Sequence, residues 1–176
     1  MIKANEAIRT ARGLIGTPYS ELDCINLIKK VIRTAPGGDV KYTTAGTNDL
    51  WNSDGKSGRY RDLTWKQAGI SGAKPGMLAF MGVGTGDVSH TGLVTECGTV
   101  IHSSKSRGCV VETALTEKNG WNGSMNTRMY STVSQWKRYR KHLSKKQGRK
   151  WGDLITLRNA DIRFPIIGIS ERYMNG

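Results

Sequence analysis

The sequence predicts an α+β fold in which N-terminal helices pack on a meandering antiparallel sheet. Two segments carry apolar residues at helical spacing within the N-terminal fifth of the chain. The period then changes to four short apolar runs between Met77 and Thr113, separated by turn residues. Helices followed by hairpin-linked strands give an α+β domain rather than alternating βαβ units.

The first helix is read over residues 4–15, with Ala7, Ile8, Ala11, Leu14 and Ile15 on one face and Gly16-Thr-Pro18 as its stop. The second is read over 24–34. Asp23 is a good N-cap, and Ile25, Ile28, Val31 and Ile32 repeat at helical spacing with Lys29, Lys30 and Arg33 opposite. Pro36-Gly-Gly ends it. Residues 37–72 are rich in Gly, Ser, Thr and Asn and read as a long excursion with a short helix around Leu63–Ala68. Strands follow at Met77–Met81, Thr91–Glu96, Thr99–Ser103 and Gly108–Thr113, with a hairpin turn at Cys97-Gly98. A basic, Gly-containing stretch from Ser144 leads to Asp161-Ile-Arg-Phe-Pro-Ile-Ile-Gly-Ile169. This divides the chain into a domain over 1–143 and a basic C-terminal extension over 144–176.

Length and composition leave room for a sizeable core: 176 residues with 37% hydrophobic content. No apolar run approaches the ~20 residues of a membrane span. The N-terminus, Met1-Ile-Lys-Ala-Asn-Glu6, has a lysine but no apolar stretch, so no signal peptide is expected. Net charge is +13, from 27 Lys and Arg against 14 Asp and Glu. Much of the excess lies in Lys137-Arg-Tyr-Arg-Lys-His142 and Lys145-Lys-Gln-Gly-Arg-Lys150, among Trp136, Tyr139 and Trp151. That pattern fits a polyanion partner, whether nucleic acid, anionic lipid or an anionic wall polymer, as well as it fits a solvated face.

Three cysteines exclude a fully paired disulfide framework within one chain. Cys97 and Cys109 flank the run that carries His102 and read as structural or incidental. With no CxxC or HExxH and no ligand-like spacing, no metal and no cofactor are expected. Cys24 differs from the other two because it opens a helix. Helix-start amides and a nearby imidazolium lower a thiol pKa and offer N–H groups to an oxyanion. His90 and His102 stand on strands joined by one hairpin, so they are expected as cross-strand neighbours on one face. Cysteine as nucleophile, His90 as base and His102 as the group fixing its tautomer make the trio of a papain-like thiol hydrolase.

Read together, Gly16-Thr-Pro-Tyr19, Asp23-Cys24, Lys74-Pro-Gly76, Ser89-His-Thr-Gly-Leu-Val94 and Val100-Ile-His102 resemble the NlpC-type cell-wall cysteine peptidases. The matching blocks run in family order from about Ala4 to Val111. The resemblance implies a papain-like fold and hydrolysis of amide bonds in peptidoglycan stem peptides, typically between D-glutamate and the diamino acid. It implies Cys24, His90 and His102 as catalytic residues and Tyr19 as a contributor to the oxyanion site. Asp23 and Ser89 would bind the substrate's peptide end. Ile25 and Asn26 replace the small residues usual after the cysteine, and the stretch between tyrosine and Asp-Cys is shortened to Ser-Glu-Leu.

Action at the bacterial cell wall is therefore expected, as a phage-tail-associated or machine-delivered lysin or as a catalytic domain of a larger protein. The basic C-terminal region would suit retention on anionic wall polymers. Two other classes stay open at this level: an amidase, deamidase or acyltransferase on the same scaffold, and a non-enzymatic basic module binding wall polymer or nucleic acid.

Overall fold

A computed structural model describes residues 2–55, 65–126 and 129–130. The C-terminal extension, the boundary at 143/144 and the basic clusters after Trp136 lie outside those residues. No helix among the described residues is long and apolar enough to cross a membrane.

After a two-residue strand, β1 (Ile2–Lys3), helix α1 spans Ala4–Arg12. It ends three residues short of the expected end at Ile15. Gly13 closes the last turn onto Arg9, and single turns carry the chain through to Gly16 in the left-handed region. Ile15 is accordingly exposed rather than on the buried face. Helix α2 spans Cys24–Thr34, as its cap and periodicity predict. Its face of Leu27, Ile28, Val31 and Ile32 is fully buried.

The excursion holds a helix that its polar composition hides, α3 (Thr47–Trp51), which buries Leu50 and Trp51. The short helix expected around Leu63–Ala68 is absent where it is described. Trp65–Ala68 is instead strand β2, and residues 63 and 64 lie outside the described set. Pairing across the sheet overrides the local pattern there.

Strands β3 (Leu78–Met81), β4 (His90–Val94), β5 (Thr99–Ser104) and β6 (Cys109–Ala114) form the predicted meander. A further strand, β7 (Trp121–Asn126), inserts between β2 and β3. The six-stranded antiparallel sheet has the order β2-β7-β3-β4-β5-β6. β1 pairs separately, in parallel, with β8 (Met129–Tyr130).

Helices cover one face of the sheet. Ala7, Ile8 and Ala11 of α1 and the buried face of α2 pack on Leu78, Phe80, Leu93, Ile101 and Val110. Strand alternation sends Met77, Ala79, Val94, Val100 and Trp121 into a smaller cluster on the other face. Each large apolar side chain buried in this way stabilises the fold by roughly 1.5–3 kcal/mol. Arg12 ties α1 to the sheet through Glu96 on the β4–β5 turn and Glu112 on β6. Ile28→Ala is expected to cost about 2–5 kcal/mol of unfolding free energy. Ile15→Ala should stay within about 0.5 kcal/mol. Urea denaturation of both variants checks this, and equal losses would contradict the assigned core.

Candidate active site

The loop before α2 is laid along the edge of β6. Gly16 N–H donates to the Val110 carbonyl at 2.9 Å, Val110 N–H to Thr17 at 2.9 Å, and Tyr19 N–H to Gly108 at 2.8 Å. Ser103, fully buried on the helix side of β5, donates its hydroxyl to the Leu22 carbonyl. The Asp23 carboxylate then accepts the Asn26 N–H at 2.8 Å, so the helix begins at Cys24 as its cap predicts.

Cys24 is buried, and its thiol meets the backbone N–H groups of Thr91 and Ile25 and the side chain of Thr47. Thr91 follows His90 on β4, so the nucleophile candidate lies against the strand that carries the base candidate. Burial raises the thiol pKa, and the hydrogen bonds from Thr91, Thr47 and Ile25 only partly oppose it. This corrects the expectation of a depressed thiol pKa: desolvation outweighs the amides at the helix start.

His90 opens β4, and burial lowers its pKa. Its Nε2 lies 2.8 Å from His102 Nδ1, and His102 Nε2 lies 3.1 Å from Thr113 Oγ1. The two imidazoles meet edge to face, with centroids 5.0 Å apart at 85°. Burial first, then the charges of His90 and Arg107, lower the His102 pKa to about 4. His102 is therefore neutral at pH 7, with one acceptor and one donor nitrogen. The only arrangement that leaves His90 Nδ1 free to take a proton has His90 Nε2–H donating to His102 Nδ1. His102 Nε2–H then donates to Thr113.

A close approach makes the pair possible. The Leu93↔Ile101 register sets Gly92 alongside His102. A Cβ at Gly92 would stand 2.9 Å from the His102 Cβ and 2.4 Å from Val100 Cγ1. Trp121 closes the other side, 5.6 Å from His90 and 5.3 Å from His102 by ring centroids. Its indole N–H is the one buried side-chain polar atom without a partner among the described residues.

The structure thus joins His90 to His102 and sets Cys24 beside the same strand. Tyr19 is half-buried, and its phenol pKa is raised by burial and by the neighbouring Cys24 and Asp23. Ser89 is exposed, with its N–H on the Met81 carbonyl at 3.2 Å. All three thiols are free. Among the described residues no three His, Cys, Asp or Glu side chains gather as a metal-binding group.

Sequence reasoning missed Thr47, Asn48, Thr113 and Trp121. Asn48 receives the Val88 N–H at 2.8 Å and donates to Asp87 at 2.7 Å, fixing the approach to His90. The apolar pair Leu50-Trp51 closing a polar stretch was the available signal for α3. Thr113 was readable from the alternation of β6, which returns it to the face of Val111, the register partner of His102.

The sequence matches no family model and no curated protein. Solved structures do match, and they define the class: the chain has the α+β fold of NlpC/p60 domains. The NlpC/p60 domain of the peptidoglycan hydrolase SagA superposes with a TM-score of 0.50 at 22% identity, over 72% of this chain and 100% of that one. The peptidoglycan hydrolase RipB of Mycobacterium tuberculosis gives 0.51 at 22% identity, over 72% of this chain and 64% of that one. The P60 domain of antigen MAP1204 from M. avium subspecies paratuberculosis gives 0.51 at 18%, over 72% and 94%.

Gly92→Ala is expected to displace His102 and to lower stability by about 1–3 kcal/mol, as overpacking does, which calorimetry or urea denaturation measures. A pH effect follows from the histidines. Below ~6.5 the unfolded chain protonates them while the folded chain resists, so stability rises with pH across that window. The urea midpoint should fall as pH drops from ~6.5 towards 4, and His102→Gln should fall less steeply. An unchanged slope in that variant would contradict the lowered His102 pKa.

Proposed function

We propose that the chain is a cysteine endopeptidase that hydrolyses amide bonds in peptidoglycan stem peptides, at the bond between D-glutamate and the diamino acid. The observation that carries this reading is the hydrogen-bonded line His90–His102–Thr113 beside a helix-start thiol. The shared fold with domains of peptidoglycan hydrolases supports the substrate class.

At rest the site holds a neutral thiol and a neutral imidazole, because burial disfavours both charges. His90 Nδ1 takes the Cys24 proton as sulfur attacks the scissile carbonyl. The C–S bond forms and the oxygen becomes an oxyanion, held by N–H groups at the start of α2 with Tyr19 shaping that side. His102, neutral and anchored on Thr113, keeps His90 in the tautomer that can act as base and stabilises its imidazolium. The imidazolium gives its proton to the leaving nitrogen as the C–N bond breaks, leaving a thioester. Water, deprotonated by His90, attacks the thioester, and the thiolate leaves and regains the proton. Asp23 and Ser89 flank the two reacting residues and would contact the peptide. Action at the bacterial wall belongs to the same proposal, and a net charge of +13 suits retention on an anionic polymer.

Mass spectrometry of muropeptides incubated with wild type and with Cys24→Ala tests the reading. New fragments from wild type alone, with masses placing the cut after D-glutamate, are the expected result; no wild-type-specific fragment from several wall types would overturn it. His90→Ala should lose roughly 10³-fold or more in kcat with the fold intact, and His102→Asn roughly 10–100-fold. The kcat/KM profile should be bell-shaped, with its acid limb below ~6.5 because burial lowers the His90 pKa.

A further inference from the structure

The loop between β3 and β4 leads directly into His90. Gly82 and Gly86, near its two ends, stand in the left-handed region at φ 80° and 91°, so its course depends on what braces it from outside. Two asparagines from distant elements do so. Asn122 of β7 accepts the Val83 N–H at 3.1 Å and donates to the Val83 carbonyl at 3.0 Å. Asn48 of α3 accepts the Val88 N–H at 2.8 Å and donates to the Asp87 carboxylate at 2.7 Å. The second brace ends two residues before His90. It comes from the neighbour of Thr47, whose hydroxyl meets the Cys24 sulfur.

α3 can serve as a fixed point because its far end is buried. Leu50 and Trp51 lie in the core, with the Trp51 ring centroid 5.1 Å from that of Phe80. A Cβ at Gly123 of β7 would stand 3.1 Å from the Trp51 ring, so the indole lies close against the sheet. At the start of the helix, the Asp49 carboxylate accepts the Thr44 hydroxyl at 2.8 Å and the Ala45 N–H at 3.1 Å. Adjacent residues of one anchored turn thus reach the nucleophile and the approach to the base.

We propose that α3 is the positioning element of this site, with Thr47 holding the Cys24 sulfur and Asn48 holding the backbone that enters His90. Neither residue makes or breaks a bond; each acts through its partner, and together they set the spacing of thiol and imidazole. The proposal rests on Cys24 and His90 being the reacting pair and adds what fixes their separation. Misplacing such a pair by about 1 Å costs on the order of 10²-fold in rate.

Alkylation of Cys24 by iodoacetamide, mapped by peptide mass with exposed Cys97 as internal reference, tests both contacts without a substrate. Thr47 is half-buried and Asn48 exposed, so the substitutions leave the core untouched. Thr47→Val removes a hydroxyl that favours the thiolate. Cys24 labelling at neutral pH should fall roughly three- to tenfold, and its pH profile should move upward. Thr47→Ser should stay within about twofold of wild type. Asp23, Tyr19 and His90, the titratable groups around the thiol, are the same in all three proteins, so the shift reports the hydroxyl. Asn48→Asp sets a second carboxylate against Asp87 and should slow labelling roughly tenfold. Asn48→Asp/Asp87→Asn returns one donor and one acceptor to that pair and should recover most of the loss. An unshifted Thr47→Val profile, or a double variant that recovers nothing, overturns the proposal. Labelling of His90→Ala at the wild-type rate is a failure of the reacting pair. The Thr47 variants, which need no base, then decide: a shifted profile upholds α3 as the holder of the sulfur, and an unshifted one overturns it.

Discussion

The buried hydroxyl of Ser103 donates to the carbonyl of Leu22, and that bond ties the strand carrying His102 to the loop delivering Cys24. Strand alternation makes the arrangement economical: residue 103 faces the helices while residue 102 faces the opposite side. One backbone register therefore sets where α2 starts and where the second imidazole points. A buried carbonyl left without its partner costs about 1–3 kcal/mol, so the loop has little freedom to settle elsewhere. The edge bonds from Gly16, Thr17 and Tyr19 to β6 hold the same loop from its other end.

Burial then decides the electrostatics. It raises the thiol pKa and lowers the pKa of both imidazoles, which favours a site without net charge at rest. A neutral line of donors and acceptors needs every nitrogen placed, and Gly92, Thr113 and Trp121 supply the space, the anchor and the packing. Trp121 sits among these rings with its own N–H unpartnered among the described residues, a desolvation cost accepted beside the two imidazoles. Burial thus disfavours a preformed thiolate at Cys24.

Much of this was legible in sequence because the deciding signals are local. Asp23 followed by apolar residues at helical spacing gave α2 its limits, and short apolar runs with Gly98 at a turn gave the meander. His90 and His102 were readable as a pair because a single hairpin separates them. What stayed hidden depends on distant partners. β2 and β7 pair across the sheet, as in the 3.0 Å bond from Gln67 to Ser124, which are 57 positions apart. α3 is short and polar, so its delivery of Thr47 to the thiol and Asn48 to the His90 loop could not be read from periodicity. The direction of the thiol pKa was misjudged for a related reason. A helix start is visible in sequence, but the depth of burial around it is not.

The most direct test of the central claim is the alkylation rate of each cysteine by iodoacetamide at neutral pH, read by peptide mass mapping in wild type and His90→Ala. If thiol and imidazole form one unit, Cys24 labelling falls sharply when His90 is removed, while labelling of exposed Cys97 is unchanged. Equal Cys24 labelling in the two proteins would contradict the account, because the thiol would then react without its proposed base.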